Sequence, residues 1–382
     1  MKKNHLSTKK KVCHVISGYF RNDARIFYRQ SMSLKMNDFD VCILTNDGDP
    51  NEILDGIEIL SCTNKHLSRW ERLLFATWYF YKHAVEINAD VYQLHSPELL
   101  PLAAKLKKIG KKVVYDVHED MAAHILEKEW LPIWSRKFIS YFFNIYMNQI
   151  FIKIDEIISP ISHVVRDLQK SLKKGVLITN FPIVKKLHDS KELDYLDNED
   201  IFCYSGTVYK YSNQETIINA MISASNAQYH LAGYIDDNQY MMLMKSKASE
   251  RIKYYGRLNQ IDLRTLYNKS IAGIVIYDYK LNLGGRVGSY GTNKIFEYME
   301  AGLPIICTDF ELWEDIVKRY QCGICVKPGD VEALTHAMQK IMNDRKAAYL
   351  MGKNARCAIE TEFNWQSEEI KYCNLIKNIA FD

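Results

Sequence analysis

The stretch from Gly284 to Ile306 carries residue types and spacings that suit a diphosphate. A glycine-dense loop leads into a predicted helix whose first turn lies near Thr292-Asn293-Lys294. Backbone N–H groups at a helix start, the positive end of the helix dipole and the Lys294 ammonium would together bind phosphate oxygens. Glu297 projects one turn later from the same face as Asn293, where a carboxylate can accept two hydrogen bonds from a ribose. The stretch predicts a nucleotide site, with an ordinary loop and capped helix as the alternative.

Two histidines lie at the carboxyl ends of predicted strands, where open α/β sheets bind their ligands. His118 follows Val113–Val117 and has Asp116 and Glu119 beside it, whereas His95 ends the preceding strand. A lone histidine is more often a structural residue, but the strand-end position beside two carboxylates favours a functional role for His118. For His95 the structural and the functional interpretations both stay open.

Other spacings argue against several classes of protein. Asp47-Gly-Asp49 resembles a metal-binding DxD, but a turn requires the same residue types, so we predict a turn. Cys322 and Cys325 form a lone CxxC, which is half of a tetrahedral zinc site, and we predict a buried pair in a strand. The sequence contains no GxGxxG after the first strand, no G-x-S-x-G and no GxxxxGK[ST]. Dehydrogenase, hydrolase and P-loop functions are therefore unsupported.

Strands and helices that alternate along the chain must position these residues. Short runs rich in Val and Ile alternate with amphipathic patterns, which is typical of parallel sheets covered by helices on both faces. The predicted strands are Val12–Ser17, Val41–Leu44, Ile57–Ser61, Val91–Leu94, Val113–Val117 and Glu156–Ser159, then Ile201–Ser205, Tyr229–Ala232, Ile252–Tyr255, Gly273–Tyr277, Pro304–Cys307 and Ile324–Val326. A charged stretch, Lys185 to Asp200, is predicted to link two domains. We expect an α/β protein with two doubly wound, Rossmann-like parallel-sheet domains that face each other across a cleft.

Composition and charge agree with a globular protein of two domains. The chain of 382 residues is 47% hydrophobic and 25% charged, which excludes a disordered or fibrous protein. Lys and Arg number 50 against 46 Asp and Glu, and the net charge of +4 is too small to indicate nucleic acid as a partner. We predict no nucleic-acid function.

Three features predict a cytoplasmic protein. The apolar run near the N-terminus, Val12 to Ile16, is too short for a signal peptide. The longest uncharged run, Phe138 to Ile152, is shorter than the roughly 20 residues that a spanning helix needs. Cysteines are scattered, as in proteins of a reducing compartment.

Two helical segments combine aromatic rings with basic side chains. They are Lys65–Lys82 and Trp130–Lys153, both rich in Trp, Tyr and Phe. Such a combination suits the headgroup region of an anionic membrane, so an inner-membrane surface is a predicted partner. The same residues also favour helices that pack into the core of the first domain, and the two interpretations need not exclude each other.

The run GTNKIFEYMEAGLPII, Gly291 to Ile306, resembles the nucleotide-binding signature of GT-B glycosyltransferases of the GT4 type (glycosyltransferase family 4, group 1). The resemblance extends in order along most of the chain. It includes Asp23-Ala-Arg25-Ile26, Leu94-His-Ser-Pro-Glu98-Leu, Val114-Tyr-Asp-Val-His118-Glu119, Tyr204-Ser-Gly206-Thr, Ile252-Lys-Tyr-Tyr-Gly256-Arg257-Leu and Phe363-Asn-Trp365.

The resemblance implies a domain arrangement and a reaction. Residues 1–185 would form the acceptor domain and 186–362 the nucleotide-sugar domain, with a terminal helix, 363–382, crossing back onto the first. The reaction would be the transfer of a sugar from a nucleoside-diphosphate sugar to a glycan, with retained anomeric configuration. The acceptor would be a lipid-linked glycan for a bacterial surface polysaccharide such as O-antigen or capsule, made at the cytoplasmic face of the inner membrane. Such enzymes generally need no metal or other cofactor.

Site residues follow from matching the family motifs position by position. His118 and Glu297 are the implied catalytic residues, with His118 directed at the donor sugar across the cleft. The donor-binding set is Gly206, Lys210, Arg257, Arg286, Ser289, Gly291, Thr292, Asn293 and Lys294. Gly18, Asp23, Arg25 and His95 are implied on the acceptor side, although Asp23 and Arg25 also suit the cap of a helix.

Three departures from the family pattern bear on activity. Eight residues before Glu297, where the family usually has a second acidic residue, this chain has Ser289. The usual Arg after the glycine at residue 206 is replaced by Thr, which leaves Lys210 out of register, so we hypothesise that Arg286 and Lys294 replace the missing charge. The glycine pair of the first loop is reduced to Gly18.

Two other functions therefore stay open. One is a different enzyme on the same fold, such as a nucleotide-sugar epimerase or a phosphorylase. The other is a binding or scaffolding subunit of a polysaccharide assembly complex without catalytic activity.

Overall fold

The protein is described by a computed structural model that covers residues 9–128, 131–184, 192–224 and 226–382. Its chain divides into two compact units, one made of residues up to Asn180 together with Trp365–Asp382, the other of Phe181–Asn364. Each unit holds one sheet. The first residues of the predicted linker, 185–191, lie outside the described part, and Glu192–Leu196 of the same stretch forms a short helix.

The first unit is built on an eight-stranded sheet. The strands are β1 (Lys11–Val15), β2 (Asp40–Thr45), β3 (Glu52–Leu54), β4 (Ile57–Ser61), β5 (Val91–Leu94), β6 (Lys112–Asp116), β7 (Glu156–Ser159) and β8 (Val176–Leu177). Their order across the sheet is β3-β4-β2-β1-β5-β6-β7-β8. The pairs are parallel, as predicted, except that β3 runs antiparallel to β4. The sequence analysis missed β3 and β8, because two or three residues carry too little of a periodic pattern.

Helices of the first unit cover both faces of this sheet. They are α1 (Met32–Met36), preceded by a π-helical turn (Ile26–Ser31), α2 (Arg69–Ile87), α3 (Leu100–Lys108), α4 (Met121–Leu126), α5 (Ile133–Phe151), α6 (Ser162–Leu172) and, from the end of the chain, α15 (Trp365–Phe381). A capping box starts α2, since the Ser68 hydroxyl accepts from the Glu71 N–H and the Glu71 carboxylate accepts from the Ser68 N–H.

The last helix, α15, belongs to the first unit through buried polar contacts. The indole of Trp365 donates to the Ser33 hydroxyl at 2.9 Å, and the hydroxyl of Tyr372 donates to Gln93 at 2.6 Å. The carboxylate of Glu368 accepts from the Thr179 N–H at 2.9 Å. Because buried polar groups are costly to leave unpaired, these contacts fix the helix in one register.

The second unit is built on a six-stranded, fully parallel sheet. Its strands are β9 (Ile201–Ser205), β10 (Gln228–Ala232), β11 (Ile252–Tyr254), β12 (Ala272–Val275), β13 (Ile305–Thr308) and β14 (Gly323–Val326), in the order β11-β10-β9-β12-β13-β14. The helices are α7 (Glu192–Leu196), α8 (Gln214–Ser223), α9 (Asp237–Met244), α10 (Gln260–Lys269), α11 (Lys294–Glu300), α12 (Glu311–Tyr320), α13 (Val331–Asn343) and α14 (Arg345–Thr361). All six strands match predicted segments within three residues.

One aromatic side chain fixes the position of α11 against the sheet. Tyr298 packs across β12 where a side chain is missing, because a Cβ built on Gly273 would lie 2.1 Å from the Tyr298 ring. The Tyr298 hydroxyl reaches β9 and accepts from the Ser205 N–H at 2.9 Å. The helix that carries the predicted nucleotide residues is therefore held against two central strands by a buried tyrosine and a glycine.

The helices that the structure describes include none long and apolar enough to cross a membrane.

Candidate active-site residues

Lys294 and Gly206 meet at the carboxyl end of β9. α11 begins at Lys294 with Asn293 as its N-cap residue, where the sequence predicted it. The Lys294 side chain runs over Gly206, so that a Cβ built on Gly206 would lie 1.9 Å from the Lys294 Nζ. Gly206 has a φ of +128°, a backbone conformation that favours glycine. The ammonium therefore lies against bare backbone at a strand end.

Two further glycines extend this bare backbone along the sheet edge. Gly233 follows β10 and Gly256 follows β11, and both have positive φ. A Cβ built on Gly233 would lie 2.0 Å from the Gly206 carbonyl oxygen. Because β9, β10 and β11 are neighbours, the three glycines form a row of exposed backbone beside Lys294, and the space at Gly256 is open. The sequence analysis missed Gly233, although its position directly after a strand was visible.

Glu297 lies half-buried on α11 and is oriented by a tyrosine. The Tyr267 hydroxyl donates to the Glu297 carboxylate at 3.4 Å and also contacts the Ser205 hydroxyl at 2.7 Å. Burial, followed by the charge of Glu297, raises the pKa of Tyr267 well above its usual value. Tyr267 therefore keeps its proton and can donate it in a hydrogen bond to Glu297. The sequence analysis missed Tyr267, which lies 30 residues away on α10.

Asn293 contributes a buried acceptor without a partner. Its side-chain Oδ1 has no hydrogen-bond partner within the described part of the chain, and its side chain makes no cap hydrogen bond to α11. An unpaired buried carbonyl oxygen is costly. A hydroxyl of a bound ligand would satisfy this oxygen.

The glycine-dense loop before α11 is anchored to the start of α12. The Glu311 N–H donates to the Arg286 carbonyl at 3.1 Å, and the Leu312 N–H donates to the Val287 carbonyl at 3.1 Å. Gly288 must be glycine, because its φ is +80° and a Cβ there would lie 2.6 Å from the Phe310 Cβ. The loop is therefore a packed element whose conformation is set before any ligand binds.

A second cluster lies in the first unit, at the ends of β5 and β6. His95 Nδ1 lies 3.1 Å from His118 Nε2, and both histidines lie within 3.5 Å of the Asp116 carboxylate. Arg25 binds Asp116 with two hydrogen bonds of 2.8 Å each, and both side chains are buried. The structure thus brings together Arg25, His95 and His118 of the predicted residues.

The buried ion pair controls the charge of this cluster. Burial alone would raise the pKa of the Asp116 carboxyl, but the Arg25 guanidinium and His118 hold that pKa well below its usual value. Burial lowers the pKa of His95 to about 4. Asp116 is therefore ionised and His95 neutral near pH 7.

A third histidine, His14, continues the cluster into the core. His14 Nδ1 lies 3.0 Å from His95 Nε2, and the two rings are stacked. Burial lowers the pKa of His14 well below its usual value. The sequence analysis missed His14 as a neighbour of the site. His14 lies 81 residues before His95, and the apolar residues of its strand indicate only a buried strand.

The ligand atoms of His95, Asp116 and His118 lie close enough together to suggest a metal site. The Asp116 Oδ2 oxygen, however, already accepts from Arg25 at 2.8 Å and from Gln30 at 2.7 Å. Both hydrogen bonds occupy the lone pairs that a cation would need, and the guanidinium repels it. These residues fit a hydrogen-bonded cluster better than a metal site.

Comparison with known proteins gives a match in the second half of the chain. Residues 185–357 match the family described as Glycosyl transferases group 1. The chain is similar, at 21% identity over 293 residues, to an uncharacterized glycosyltransferase, MJ1069, of Methanocaldococcus jannaschii, with 72% of this chain and 71% of that protein covered.

Solved structures give the fold of the whole chain. Sucrose-phosphate synthase of Thermosynechococcus elongatus is similar with a TM-score of 0.75 at 15% identity, with 97% of this chain and 99% of that chain covered. Alr3699/HepE of Anabaena, solved with UDP-glucose, is similar with a TM-score of 0.69 at 13% identity, with 96% and 99% covered. WaaG, a glycosyltransferase involved in lipopolysaccharide biosynthesis, is similar with a TM-score of 0.68 at 14% identity, with 96% and 99% covered. The chain has a GT-B fold, and residues 185–357 are similar to the group 1 glycosyltransferases. The predicted fold class is confirmed, whereas the GT4 subclass stays a prediction.

Within the second unit, Arg286 is already paired. Its guanidinium lies 3.0 Å from the Asp309 carboxylate, donates to the Tyr279 hydroxyl at 2.6 Å and lies over the Tyr279 ring. Burial, then the hydrogen bond to Asp309, raises the pKa of Tyr279 to about 12. This pairing weakens the hypothesis that Arg286 replaces the family's missing charge, because Asp309 offsets its charge.

Ser289 is likewise used inside the loop. Its side chain is buried, and the hydroxyl accepts from the Gly291 N–H at 3.0 Å. Its carbonyl oxygen accepts from the Trp313 indole at 3.2 Å. Ser289 therefore shapes the turn before Thr292.

Two other basic residues predicted for the donor lie on the surface of the second unit. Arg257 is exposed, and its guanidinium lies over the Tyr234 ring with the two centres 5.8 Å apart. Lys210 is exposed in the loop after β9.

On the acceptor side, Asp23 is a capping residue. Its carboxylate accepts from the Arg25 N–H at 2.8 Å and the Ile26 N–H at 3.0 Å, where the π-helical turn begins. Gly18 has a φ of +78° and lies beside the Arg72 guanidinium. The capping interpretation therefore accounts for Asp23, whereas Arg25 binds Asp116.

The DxD-like motif and the CxxC motif both have structural roles. Asp47 accepts from the Asp49 N–H at 3.1 Å, which closes the predicted turn, and is held by Arg21. Cys322 is buried just before β14 and Cys325 lies in it, with the Cys325 sulfur 3.8 Å from that of Cys307.

Proposed function

We propose that this protein is a retaining glycosyltransferase that moves a sugar from a nucleoside-diphosphate sugar to a glycan acceptor. The observation that carries the proposal is the Lys294 ammonium lying against the bare backbone of Gly206, on the helix that also presents Glu297. A fixed cation against open backbone suits a diphosphate, and a carboxylate one turn away suits a ribose. The family match of the same segment supports this proposal.

The residues of the second unit would act mainly by electrostatic stabilisation. Lys294 would neutralise the charge that develops on the departing diphosphate, and its position against Gly206 means that little rearrangement is needed. Glu297, oriented by Tyr267, would hold the ribose hydroxyls. The unpaired Asn293 Oδ1 would accept from a ligand hydroxyl. The proposed reaction requires neither a metal nor another cofactor.

The acceptor is a further part of the proposal. We take it to be a lipid-linked glycan for a bacterial surface polysaccharide, with the reaction at the cytoplasmic face of the inner membrane. WaaG, which has a similar fold, is involved in lipopolysaccharide biosynthesis, and Alr3699/HepE was solved with UDP-glucose. The roles of His118 as a catalytic residue and of the acceptor-side residues stay predictions.

Thermal unfolding with UDP, GDP, ADP and CMP tests the nucleotide site. A nucleotide at about 100 times its dissociation constant should stabilise the folded protein by roughly 2.7 kcal/mol, which raises the melting midpoint by a few degrees. We expect one nucleotide to shift the midpoint and Lys294→Ala to abolish that shift. Lys346→Ala, which removes an exposed lysine of α14, is the matched control. The proposal fails if no nucleotide shifts the midpoint.

A non-catalytic binding subunit is the second candidate. The observation that favours it is that Ser289 and Arg286 are both engaged within the domain. Such a subunit would bind the nucleotide but release no nucleoside diphosphate from its sugar conjugate, with or without a glycan acceptor. Product analysis would also reveal an epimerase, because an epimerase changes the donor sugar without any acceptor.

A further inference from the structure

An apolar stripe of α5 faces solvent. Trp134, Phe138, Tyr141, Phe142 and Ile145 are exposed, Trp134 by 81% and Phe138 by 64%. Their spacing of four, three, one and three residues is the pattern that normally faces a protein core. The opposite face carries Ser140, whose hydroxyl donates to the Ala122 carbonyl of α4 at 2.8 Å. The end of the helix packs into the first unit's core through Ile150 and Phe151, whereas the aromatic stripe faces away from that core.

The outer face of α2 also exposes apolar side chains. Ala76, Phe80 and Ala84 are buried against the sheet at four-residue spacing. Leu74 and Trp78 lie on the opposite side of the helix and are exposed, Trp78 by 68%. Both aromatic segments therefore pack one face into the core and expose the other, so core packing and an exposed aromatic face hold together. Trp130, also part of the second segment, lies outside the described residues.

Both stripes lie on the same side of the first unit's sheet. Buried residues of α2, α3 and α5 belong to one hydrophobic core, together with Cys13, Tyr92 and Tyr115 of the strands. α3 packs against both α2 and α5, so it lies between them. We call the exposed residues Leu74, Phe75 and Trp78 of α2 and Trp134, Phe138, Tyr141, Phe142 and Ile145 of α5 the aromatic surface.

The charged side chains of α5 and of its flanking residues are all basic. The sequence from residue 131 to residue 154 contains Arg136, Lys137 and Lys153 but no Asp or Glu. Arg136 and Lys137 lie on α5, within one turn of Trp134 and Phe138. A partner protein would need acidic side chains placed opposite these basic ones. An anionic bilayer offers negatively charged headgroups and an apolar interior together.

We propose that the aromatic surface docks the first unit onto an anionic phospholipid bilayer, with the rings of α2 and α5 in the headgroup region. The helices would lie on the bilayer, since no helix that the structure describes is able to cross it. Trp and Tyr prefer this zone because each ring has an apolar body and a polar edge. The membrane contact itself does not depend on the proposed function. Only its biological role, which is to bring the enzyme to a lipid-linked acceptor, rests on that function.

Vesicle co-sedimentation of the full-length protein tests this directly. The probes are phosphatidylcholine vesicles with and without about 30 mol% phosphatidylglycerol. We expect binding to the anionic vesicles that weakens but persists when the ionic strength is raised to about 0.5 M, because salt screens the basic side chains and leaves apolar burial intact. Equal binding to both vesicle types would overturn the anionic assignment.

A double variant locates the surface. Phe138→Ser/Phe142→Ser should lower the partition coefficient by at least about tenfold, since two buried rings are lost from the bilayer contact. Ile261→Ser/Leu350→Ser removes two exposed apolar side chains from the second unit and is the matched control, expected to bind like wild type. Unchanged binding of the Phe138→Ser/Phe142→Ser variant would overturn the proposal.

Two further readouts separate this proposal from others. Light scattering measures self-association. If the wild-type protein forms a dimer and binds no vesicles, and Phe138→Ser/Phe142→Ser abolishes that dimer, the aromatic surface binds a second copy of the chain. That outcome would overturn the bilayer proposal. The nucleotide-dependent shift of the melting midpoint should stay unchanged in that variant. If the wild-type protein binds the vesicles but no nucleotide shifts its melting midpoint, the proposed function alone is contradicted.

Discussion

The Nζ atom of Lys294 occupies the place where a side chain on Gly206 would begin, 1.9 Å from a Cβ built there. The lysine and the glycine are 88 positions apart and lie on different elements, a helix start and a strand end. Their contact makes the identity of residue 206 part of the proposed diphosphate site.

Gly206→Ala should therefore weaken nucleotide binding by at least about tenfold, which corresponds to roughly 1.4 kcal/mol. The added methyl would displace the lysine, and the φ of +128° would strain an alanine. Isothermal titration with the nucleotide that shifts the melting midpoint measures this. Gly329→Ala is the control, because Gly329 has a positive φ and nothing within 4 Å of its Cβ position. Equal losses in both variants would mean that backbone strain alone is responsible.

Lys294 and Arg286 should differ in their contribution to nucleotide affinity. Lys294→Ala should raise the dissociation constant by about 10- to 100-fold, as expected for a charge-assisted hydrogen bond. Arg286→Ala should raise it by less than about threefold, because Asp309 already pairs with Arg286 at 3.0 Å. A larger effect of Arg286→Ala would restore its predicted role as the replacement cation.

Glu297→Ala should abolish turnover and leave the fold intact. Its carboxylate would bind the ribose in the proposed site, so the dissociation constant of the nucleotide should also rise by about 10-fold or more. Tyr267→Phe removes the hydroxyl that donates to Glu297 at 3.4 Å and should cost only a few-fold. Unchanged kinetics of Glu297→Ala would contradict our assignment of the nucleotide site.

The buried pair of Arg25 and Asp116 should be a large contributor to the stability of the first unit. Arg25→Met would leave Asp116 buried and unpaired, at a cost of about 3–5 kcal/mol in the free energy of unfolding. Urea unfolding measures the loss. Arg25→Met/Asp116→Asn should recover part of it, because the second change removes the uncompensated charge. A double variant no more stable than Arg25→Met would show that the ionic pairing itself contributes little.

His95 should make stability depend on pH between about 4 and 6.5. Its pKa is lowered to about 4 in the folded state, so between these values the unfolded chain binds a proton that the folded protein does not. Stability should therefore fall as the pH drops through this window, by about 3 kcal/mol in total. His95→Gln should flatten this part of the curve in urea unfolding. His66→Gln, which changes an exposed histidine, is the control variant.

Local patterns in the sequence were sufficient for most of the fold and part of the candidate site. Val91–Leu94 and Ile201–Ser205 have the predicted bounds, because runs of Val, Ile and aromatic residues buried on both faces leave a continuous pattern. The start of α11 at Lys294 was also predictable, since glycine density and helix periodicity are local properties. Tyr267, Gly233 and His14 were missed, because each joins its site through contacts across many residues of chain.

The sequence by itself determined the alternation of strands and helices, the glycine-dense loop and the residue types that suit a diphosphate. Only the tertiary structure decided which of the candidate charges are already paired: Arg286 with Asp309, and Arg25 with Asp116. It also decided that the aromatic stripe of α5 faces outward, although its spacing is that of a buried helix face. Periodicity records which side of a helix is apolar, whereas burial depends on which surface the rest of the chain places against that side.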